Sequence, residues 1–423
     1  MASIRKRGNS YQIEVFDGSD ENGNPIRRSL TYHPKETAPT KVRKELEAVA
    51  ADYERRIHSG IMLDGDHITF REAAERWFTS YAEKSLSATM QHEYRRILEK
   101  TIFPEIGRLP MTKIHALHIQ NIVDALAKKN LAPSTIANTI KPAKAVFKAS
   151  VSWGLVQFNP CDRIILPKKG ERYKYKIWTS DQVRTFFAAL DDQYETTYSE
   201  RHRTDSEGNE YAVAPYCTDY AISTMYKALF MLLIYTSARR GEVCALTWND
   251  IDFAQSEISI TKAVAVVDHG QIIKAPKTEA GKRRIYVPAE CMRILRKWKK
   301  EEIELSLALG DLWKGYTGAD FNKNFLFIRR DSGELINIET VGQRFHQIVR
   351  MHNAKGKDPL PEIRLHDLRH TGASLMIANN VDIVTVSHRL GHAKPSTTLD
   401  IYSHAIPSKD KAAALVLSEA ISV

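Results

Sequence analysis

The chain has 423 residues, 43% of them hydrophobic and 26% charged, a balance that excludes a disordered polymer and leaves apolar side chains for two to four cores. No run of about 18 uncharged apolar residues occurs, which excludes a membrane-spanning helix, and no apolar segment follows the basic start MASIRKRGNS, so a signal peptide is not expected. The formal charge of +10 attracts a polyanion and gains from release of its counterions, so nucleic acid is the first partner to weigh against a merely basic soluble protein.

Residues 1–60 read as a small unit. Ser10 to Phe16 alternates polar and apolar side chains, as a half-buried strand does. Gly23-Asn24-Pro25 supplies turn chemistry, and Ile26 to Tyr32 returns as a second strand. Val42, Leu46, Val49, Tyr53 and Ile57 then recur at helical spacing. A short sheet on one helix is expected. Arg5, Lys6, Arg7, Arg27 and Arg28 are expected near one sheet face, where they either meet a DNA groove or stay solvated.

Residues 67–165 read as a small helical bundle. Thr69 and Glu72 form a capping box ahead of Phe70, Ala73, Ala74, Trp77 and Tyr81. Ser87 is placed to cap a helix that runs to Leu98, and His115 to Ala127 and Pro133 to Val151 make two more. Pro142 is expected to kink or shorten the last of these. Arg95, Arg96, Lys100 and Lys144 either touch phosphate or are solvated. Residues 166–178 (LPKKGERYKYKIW) are basic and poor in aliphatics, the composition of a linker that crosses DNA.

The third unit runs over 179–423 and opens on a second capping box, Thr179 with Gln182. The polar, tyrosine-rich stretch 192–218 reads as a surface loop. Tyr226 to Tyr235 is an apolar helix. Strand-like pieces at Glu257–Val267, Gln271–Lys274 and Arg283–Val287 suggest one small antiparallel sheet. Helices are expected at Glu290–Leu305, Ile338–Met351, His366–Asn379 and Val381–Leu390, with a mildly amphipathic tail helix from Lys409 to Ile421.

Phosphodiester exchange without a metal needs cations against the charge on the pentavalent phosphorus, an activated nucleophile and an acid for the departing oxygen. The third unit offers all three. Arg239 lies in TSARRGE, where Gly241 marks a helix end or turn that puts the arginine at a boundary. His366 and Arg369, three apart in HDLRH, share one helix face and approach one phosphate together. Leu390-Gly391-His392 follows, and Tyr402 stands ten residues beyond it. A competing reading is zinc, since His366 and His370, like His388 and His392, are four apart. Asp367 stands where the zinc protease motif needs Glu, and Arg369 beside a dication is unfavourable. The four cysteines, Cys161, Cys217, Cys244 and Cys291, form no C-x-x-C pair, so neither a disulfide framework nor a thiolate metal site is expected and a cytoplasmic setting fits.

In this order, Arg-x-Gly-Glu, His-x-x-Arg, Leu-Gly-His and a following tyrosine resemble the tyrosine recombinase (phage integrase) family, over roughly residues 67–410. The resemblance implies a multidomain, mainly α protein with small β-sheets. Its parts would be an N-terminal arm-binding domain of sheet plus helix, a helical SAM-like core-binding domain, and a mixed α/β catalytic domain. It further implies that Arg239 and Arg369 clamp the non-bridging oxygens and that His366 and His392 donate to the phosphate, His366 also exchanging the tyrosine proton. Tyr402 would attack to leave a 3′-phosphotyrosine, Glu242 would support the site, and Lys277, with Lys274 and Lys282 nearby, would be the general acid. Neither metal nor other cofactor is implied. The implied partners are double-stranded attachment sites, other copies of the chain in a tetramer, and accessory excision or DNA-bending factors. A type IB topoisomerase shares this chemistry. A regulator with a lapsed catalytic domain and a metal-dependent nuclease are the remaining alternatives, though no acidic cluster supports the nuclease. Two departures from the family pattern stand out: Ser237-Ala238 replaces a Gly-plus-aliphatic pair, and the 192–218 insertion is long.

Overall fold

The alternation near the N-terminus folds as a three-stranded antiparallel sheet of β1 (Ser3–Arg7), β2 (Ser10–Ser19) and β3 (Pro25–Tyr32), in the order β1-β2-β3. β1 is a strand that its sequence, SIRKR, does not announce; its register sets Ile4 against Ile13. Ile13 and Val15 are buried, as are Leu46, Ala50 and Ile57 of α1 (Pro39–His58). Side chains alternate across a strand, and the pairings Arg5 with Gln12 and Arg27 with Phe16 put Arg5, Arg7 and Arg27 on the face opposite Ile13. Lys6 and Arg28 fall on the Ile13 face, where Arg28 Nε is 2.6 Å from Asp17. The basic residues therefore do not share one face; the two-residue period of a strand separates neighbours in sequence.

The computed structural model describes residues 2–19, 23–58, 68–168, 175–198, 200–204, 208, 210–214, 216–267, 270–276, 279–315, 324–402 and 418. The chain divides into two compact units, Met1–Arg172 and Tyr173–Val423.

The helical part of the first unit begins at the Thr69–Glu72 capping box, where both reciprocal bonds are made. α2 (Phe70–Trp77) continues through a π turn at Phe78–Ala82 into the short α3 (Glu83–Ser85). α4 (Ala88–Ile97), α5 (Phe103–Ile106), α6 (Ala116–Lys128) and α7 (Pro133–Ser152) complete it. Ser87 precedes α4 as expected, but its side chain makes no capping bond. Pro142 does not shorten α7, which stays helical to Ser152. A proline inside a helix costs about 3 kcal/mol, and here burial of Ile136, Ile140, Val146 and Phe147 on one face offsets it.

In the second unit, Trp178 is buried and donates Nε1–H to Pro361 O at 2.9 Å, so the end of the expected linker belongs to this core. α8 (Ser180–Ala189) leads to β4 (Gln193–Tyr198), β5 (Arg201–Thr204), β6 (Glu210–Val213) and β7 (Tyr216–Ala221). β4 pairs with β7 and β5 with β6, so the expected surface loop holds two antiparallel two-stranded sheets. Its Tyr, Thr and Val content favours strands, and Gly208 (φ +90°) takes a backbone angle suited to a turn.

α9 (Thr224–Thr236) is apolar nearly all round and packs against α11 (Ala289–Leu309) and α13 (Asp367–Ala378). α10 (Arg240–Cys244) follows it. The strands beyond form two sheets where one was expected. β8 (Ile251–Asp252), β9 (Glu257–Ile260) and β12 (Arg283–Tyr286) make one, while β10 (Ala263–Val267) and β11 (Gly270–Lys274) pair separately. α12 (Ile338–Ala354), α14 (Ile383–Leu390) and α15 (Pro395–Tyr402) complete the elements. Phe186, Phe230 and Phe345 pack ring on ring beneath them. The expected tail helix lies outside the described residues except for Ser418.

Candidate active site

Arg239 stands between α9 and α10, at the boundary expected of it, but Ser237 and not Gly241 makes the break. Ser237 closes α9 in the left-handed conformation, φ +52°, which costs a non-glycine residue roughly 1–2 kcal/mol and accounts for the family's usual glycine there. Gly241 serves a different purpose: a Cβ on it would sit 2.5 Å from Val264 O of β10.

Glu242 organises the first arginine. Its carboxylate accepts from the Arg239 backbone N–H at 2.9 Å and from Arg239 Nη1 at 2.8 Å. It also accepts from Arg283 Nη2 at 2.8 Å, and the Arg283 side chain is fully buried. Burial raises the Glu242 pKa, but the Arg283 and Arg239 charges and their hydrogen bonds outweigh it, and the net shift is downward. Arg283 spends its remaining donors on Gly281 O (2.9 Å) and Arg389 O (2.8 Å). It thereby joins α10, β12 and the end of α14. Gly391 has φ +68°, and a Cβ there would meet Arg283 Nη1 at 2.7 Å, so the Leu-Gly-His turn is held against this buried arginine.

Arg369 lies on the first turn of α13, 4% exposed. Nη1 donates to Ser237 O at 2.8 Å, and Nη2 donates to Leu390 O at 2.8 Å and to His392 Nε2 at 3.0 Å. The approach of α13 to the end of α9 requires Gly372, where a Cβ would collide with Ser237 Oγ. Desolvation, then the Arg239 charge, pushes the Arg369 guanidinium down to about 10, which leaves it charged at neutral pH. An arginine has no acceptor, so His392 Nε2 is the acceptor and its proton sits on Nδ1, which donates to Thr398 Oγ1 at 2.8 Å. Burial and the Arg369 charge push His392 down to about 4.

His366 precedes α13, and Asp367 beside it is fully buried, accepting from Arg364 N, Nε and Nη2 at 2.9–3.2 Å. Desolvation and the Arg369 charge hold His366 below its ordinary value, although part of its surface is exposed.

Tyr402 ends α15 and is 1% exposed. Its hydroxyl is 2.7 Å from His370 Nδ1. Burial raises the phenol's pKa further than the Arg369 charge lowers it. Arg239, Glu242, Lys274, Pro276 and His392 line one cleft of about 490 Å³. A cleft of about 770 Å³ around Gln271, Lys314, Arg329 and Asn337 shares none of the motif residues. The Arg239 and Arg369 charges both act on His366 and His392, Arg239 also acts on Arg369, and Arg369 acts on Tyr402, so these residues gather in one electrostatic cluster. Lys277 lies outside the described residues.

Of the histidines weighed for zinc, His370 is engaged by Tyr402 and His392 by Arg369 and Thr398; among the described residues no group of three or more His, Cys, Asp or Glu is placed to hold a metal. Cys161, Cys244 and Cys291 are free and buried, and burial pushes each thiol up to about 12. Sequence reasoning passed over Arg283 as part of the site. Its signal was the strand period: if Ile285 faces the core, Arg283 does too.

The other basic candidates belong to the first unit. Arg5, Arg7 and Arg27 are exposed on the N-terminal sheet. Arg95 pairs with Glu75 at 3.2 Å, Arg96 with Glu93 at 2.7 Å and Lys144 with Asp162 at 2.8 Å.

Two family models match the chain, the Phage integrase family over residues 211–409 and the Phage integrase central domain over residues 70–165. A tyrosine recombinase XerC-like protein of Caldanaerobacter subterraneus subsp. tengcongensis is 25% identical, over 97% of this chain and 96% of that protein. The ICEBs1 integrase of Bacillus subtilis is 25% identical over 97% of each chain. In fold, the chain is similar to the Tn1549 transposon integrase solved in complex with transposon right end DNA, with a TM-score of 0.62 at 19% identity, over 84% of this chain and 100% of that one.

Proposed function

Because the chain belongs to the phage integrase family of tyrosine recombinases, we propose that it is a site-specific DNA integrase in which Tyr402 cuts and rejoins strands to integrate and excise a mobile element. The observation that carries this reading is the gathering of Arg239, Arg369, His366 and His392 in one cationic cluster beside Tyr402. Among the described residues the one carboxylate lining that cleft, Glu242, is already paired with two arginines, so an incoming phosphate meets net positive charge. Arg239, its side chain 47% exposed, offers its free donors to a non-bridging oxygen. A phosphate oxygen that takes Arg369 Nη2 releases His392 Nε2, and the added negative charge favours protonation there, which turns His392 into a donor. Lys277 is the family's match for the acid that protonates the 5′-oxygen. The phosphodiester bond energy is kept in the phosphotyrosine, so the exchange needs no ATP.

A nicked suicide duplex carrying the element's end tests this. The expected result is a covalent adduct that survives a denaturing gel and maps to Tyr402; an adduct on another tyrosine overturns the assignment.

We further propose that residues 1–60 bind arm-type sites and 67–165 the core site, and that four copies exchange strands between two duplexes, aided by accessory factors, in the nucleoid of a bacterium. Sedimentation of the assembly on DNA reads its copy number. Arg5, Arg7 and Arg27 share one face of the sheet, which supports their meeting a duplex together. Changing all three to Ala is expected to weaken arm-site binding and to reduce the slope of log K against log salt by about 3, because each phosphate contact contributes about 0.9; an unchanged slope sinks the arm-binding role. Arg95, Arg96 and Lys144 each leave a surface carboxylate to reach DNA, at small cost, whereas Arg28, on the Ile13 face beside Asp17, leaves a half-buried pair at greater cost.

A further inference from the structure

His370 stands outside the residues assigned above. It lies one position beyond Arg369 on α13 and is 5% exposed. The only hydrogen bond that the Tyr402 hydroxyl makes among the described residues is to His370 Nδ1, at 2.7 Å. A buried phenol O–H needs an acceptor, so Tyr402 donates and Nδ1 receives. The Tyr175 ring lies over the imidazole, 3.8 Å between centroids, and the His366 ring meets it edge-on at 5.2 Å. His366 itself makes no hydrogen bond to Tyr402 among the described residues, although the family resemblance gives it the tyrosine proton.

We propose that His370, and not His366, takes the proton from Tyr402 as the phenol attacks DNA, and returns it when the strand is rejoined. The inference rests on Tyr402 being the nucleophile. The Oη–P bond forms and the P–O5′ bond breaks. The phenolic proton passes to His370 Nδ1, and a separate acid, matched by Lys277, protonates the 5′-oxygen. In rejoining, the 5′-hydroxyl returns its proton to the conjugate base of that acid and attacks, the P–O5′ bond forms, the Oη–P bond breaks and the other proton returns from Nδ1 to the phenolate. The groups that face His370 are His366, Asp367, Arg369 and Arg364 from its own helix and the turn before it, Tyr402 from α15 and Tyr175 from the segment ahead of α8. Desolvation, then the neighbouring His366 and Arg369 charges, pushes His370 down to about 4. It is therefore unprotonated across the neutral range, and the negative charge of a bound phosphate raises its affinity for the proton.

The test is the rate of adduct formation on a suicide duplex as a function of pH. Asn places an amide oxygen near the Nδ1 position and keeps the hydrogen bond, but does not take the proton. His370→Asn is expected to bind DNA normally and to form adduct about 10²-fold more slowly at neutral pH. Its rate should then climb about tenfold per pH unit as hydroxide replaces the imidazole, while the wild type stays flat above about pH 6. His366→Asn is expected to slow the reaction and keep the flat profile. A His370→Asn protein that reacts at the wild-type rate, or more slowly with an unchanged profile, overturns the proposal. Should that variant fail to fold, the wild type decides: a rate rising tenfold per unit through neutrality sends the proton to solvent and overturns it. A wild type that forms no adduct at all refutes Tyr402 as nucleophile, which is a separate failure.

Discussion

Tyr402→Phe is expected to abolish the covalent DNA adduct while leaving DNA affinity unchanged. The substitution removes one oxygen. The ring still packs among Ala373, Ile377, Val386 and Leu390, which bury it on α13 and α14, so the shape of the domain survives. What is lost is the oxygen proposed to attack phosphorus, and removal of a nucleophile commonly lowers turnover on the order of 10⁴-fold or more. The vacated His370 Nδ1 loses its partner, at about 1–3 kcal/mol, so a modest fall in melting temperature accompanies the loss. Quantifying adduct and bound DNA on the same duplex checks this. Adduct at normal yield refutes the assignment of the nucleophile, and lost binding refutes the claim that the oxygen acts only in the chemical step.

Arg369→Ala is the second large effect. The guanidinium fixes two carbonyls, Ser237 O and Leu390 O, and supports His392. Its loss is expected to slow single-turnover cleavage by 10²–10³-fold, the usual cost of removing a fixed donor to developing charge. It also leaves two buried carbonyls unpaired, at about 1–3 kcal/mol each. Arg369→Lys keeps the charge but loses the planar fork, so the ammonium reaches one carbonyl or the other. It is expected to fall between wild type and Ala in both cleavage and melting temperature. An Ala variant that cleaves at the wild-type rate overturns the clamp. An Ala variant that cleaves slowly but melts normally overturns the structural half of the argument.

Much of the molecule was legible in advance, where the signal is local. The Thr69 and Thr179 capping boxes start helices as read, because both partners lie within one turn. The strand alternation of Ser10 to Phe16 reappears in β2. The two small sheets of 193–221 were less legible: their polar composition suits a solvated loop, and only cross-strand pairing such as Tyr194 with Tyr220 makes them sheets. The basic N-terminal residues looked like one patch in sequence and fall on two faces in space.

The sequence by itself determined most of the longer helices, the candidate reacting residues and their order along the chain, since each rests on residue types at short, fixed spacing. Only the tertiary structure decided which of those residues touch. Arg369 meets Ser237 across 132 positions, Glu242 meets Arg283 across 41, and Tyr402 meets His370 across 32. Such contacts follow from how α9, α13, α14 and α15 pack, with Gly372 and Gly391 allowing the close approaches. Helix and strand periods carry no information about that packing, because it depends on burying distant apolar faces together and on satisfying the polar groups trapped between them.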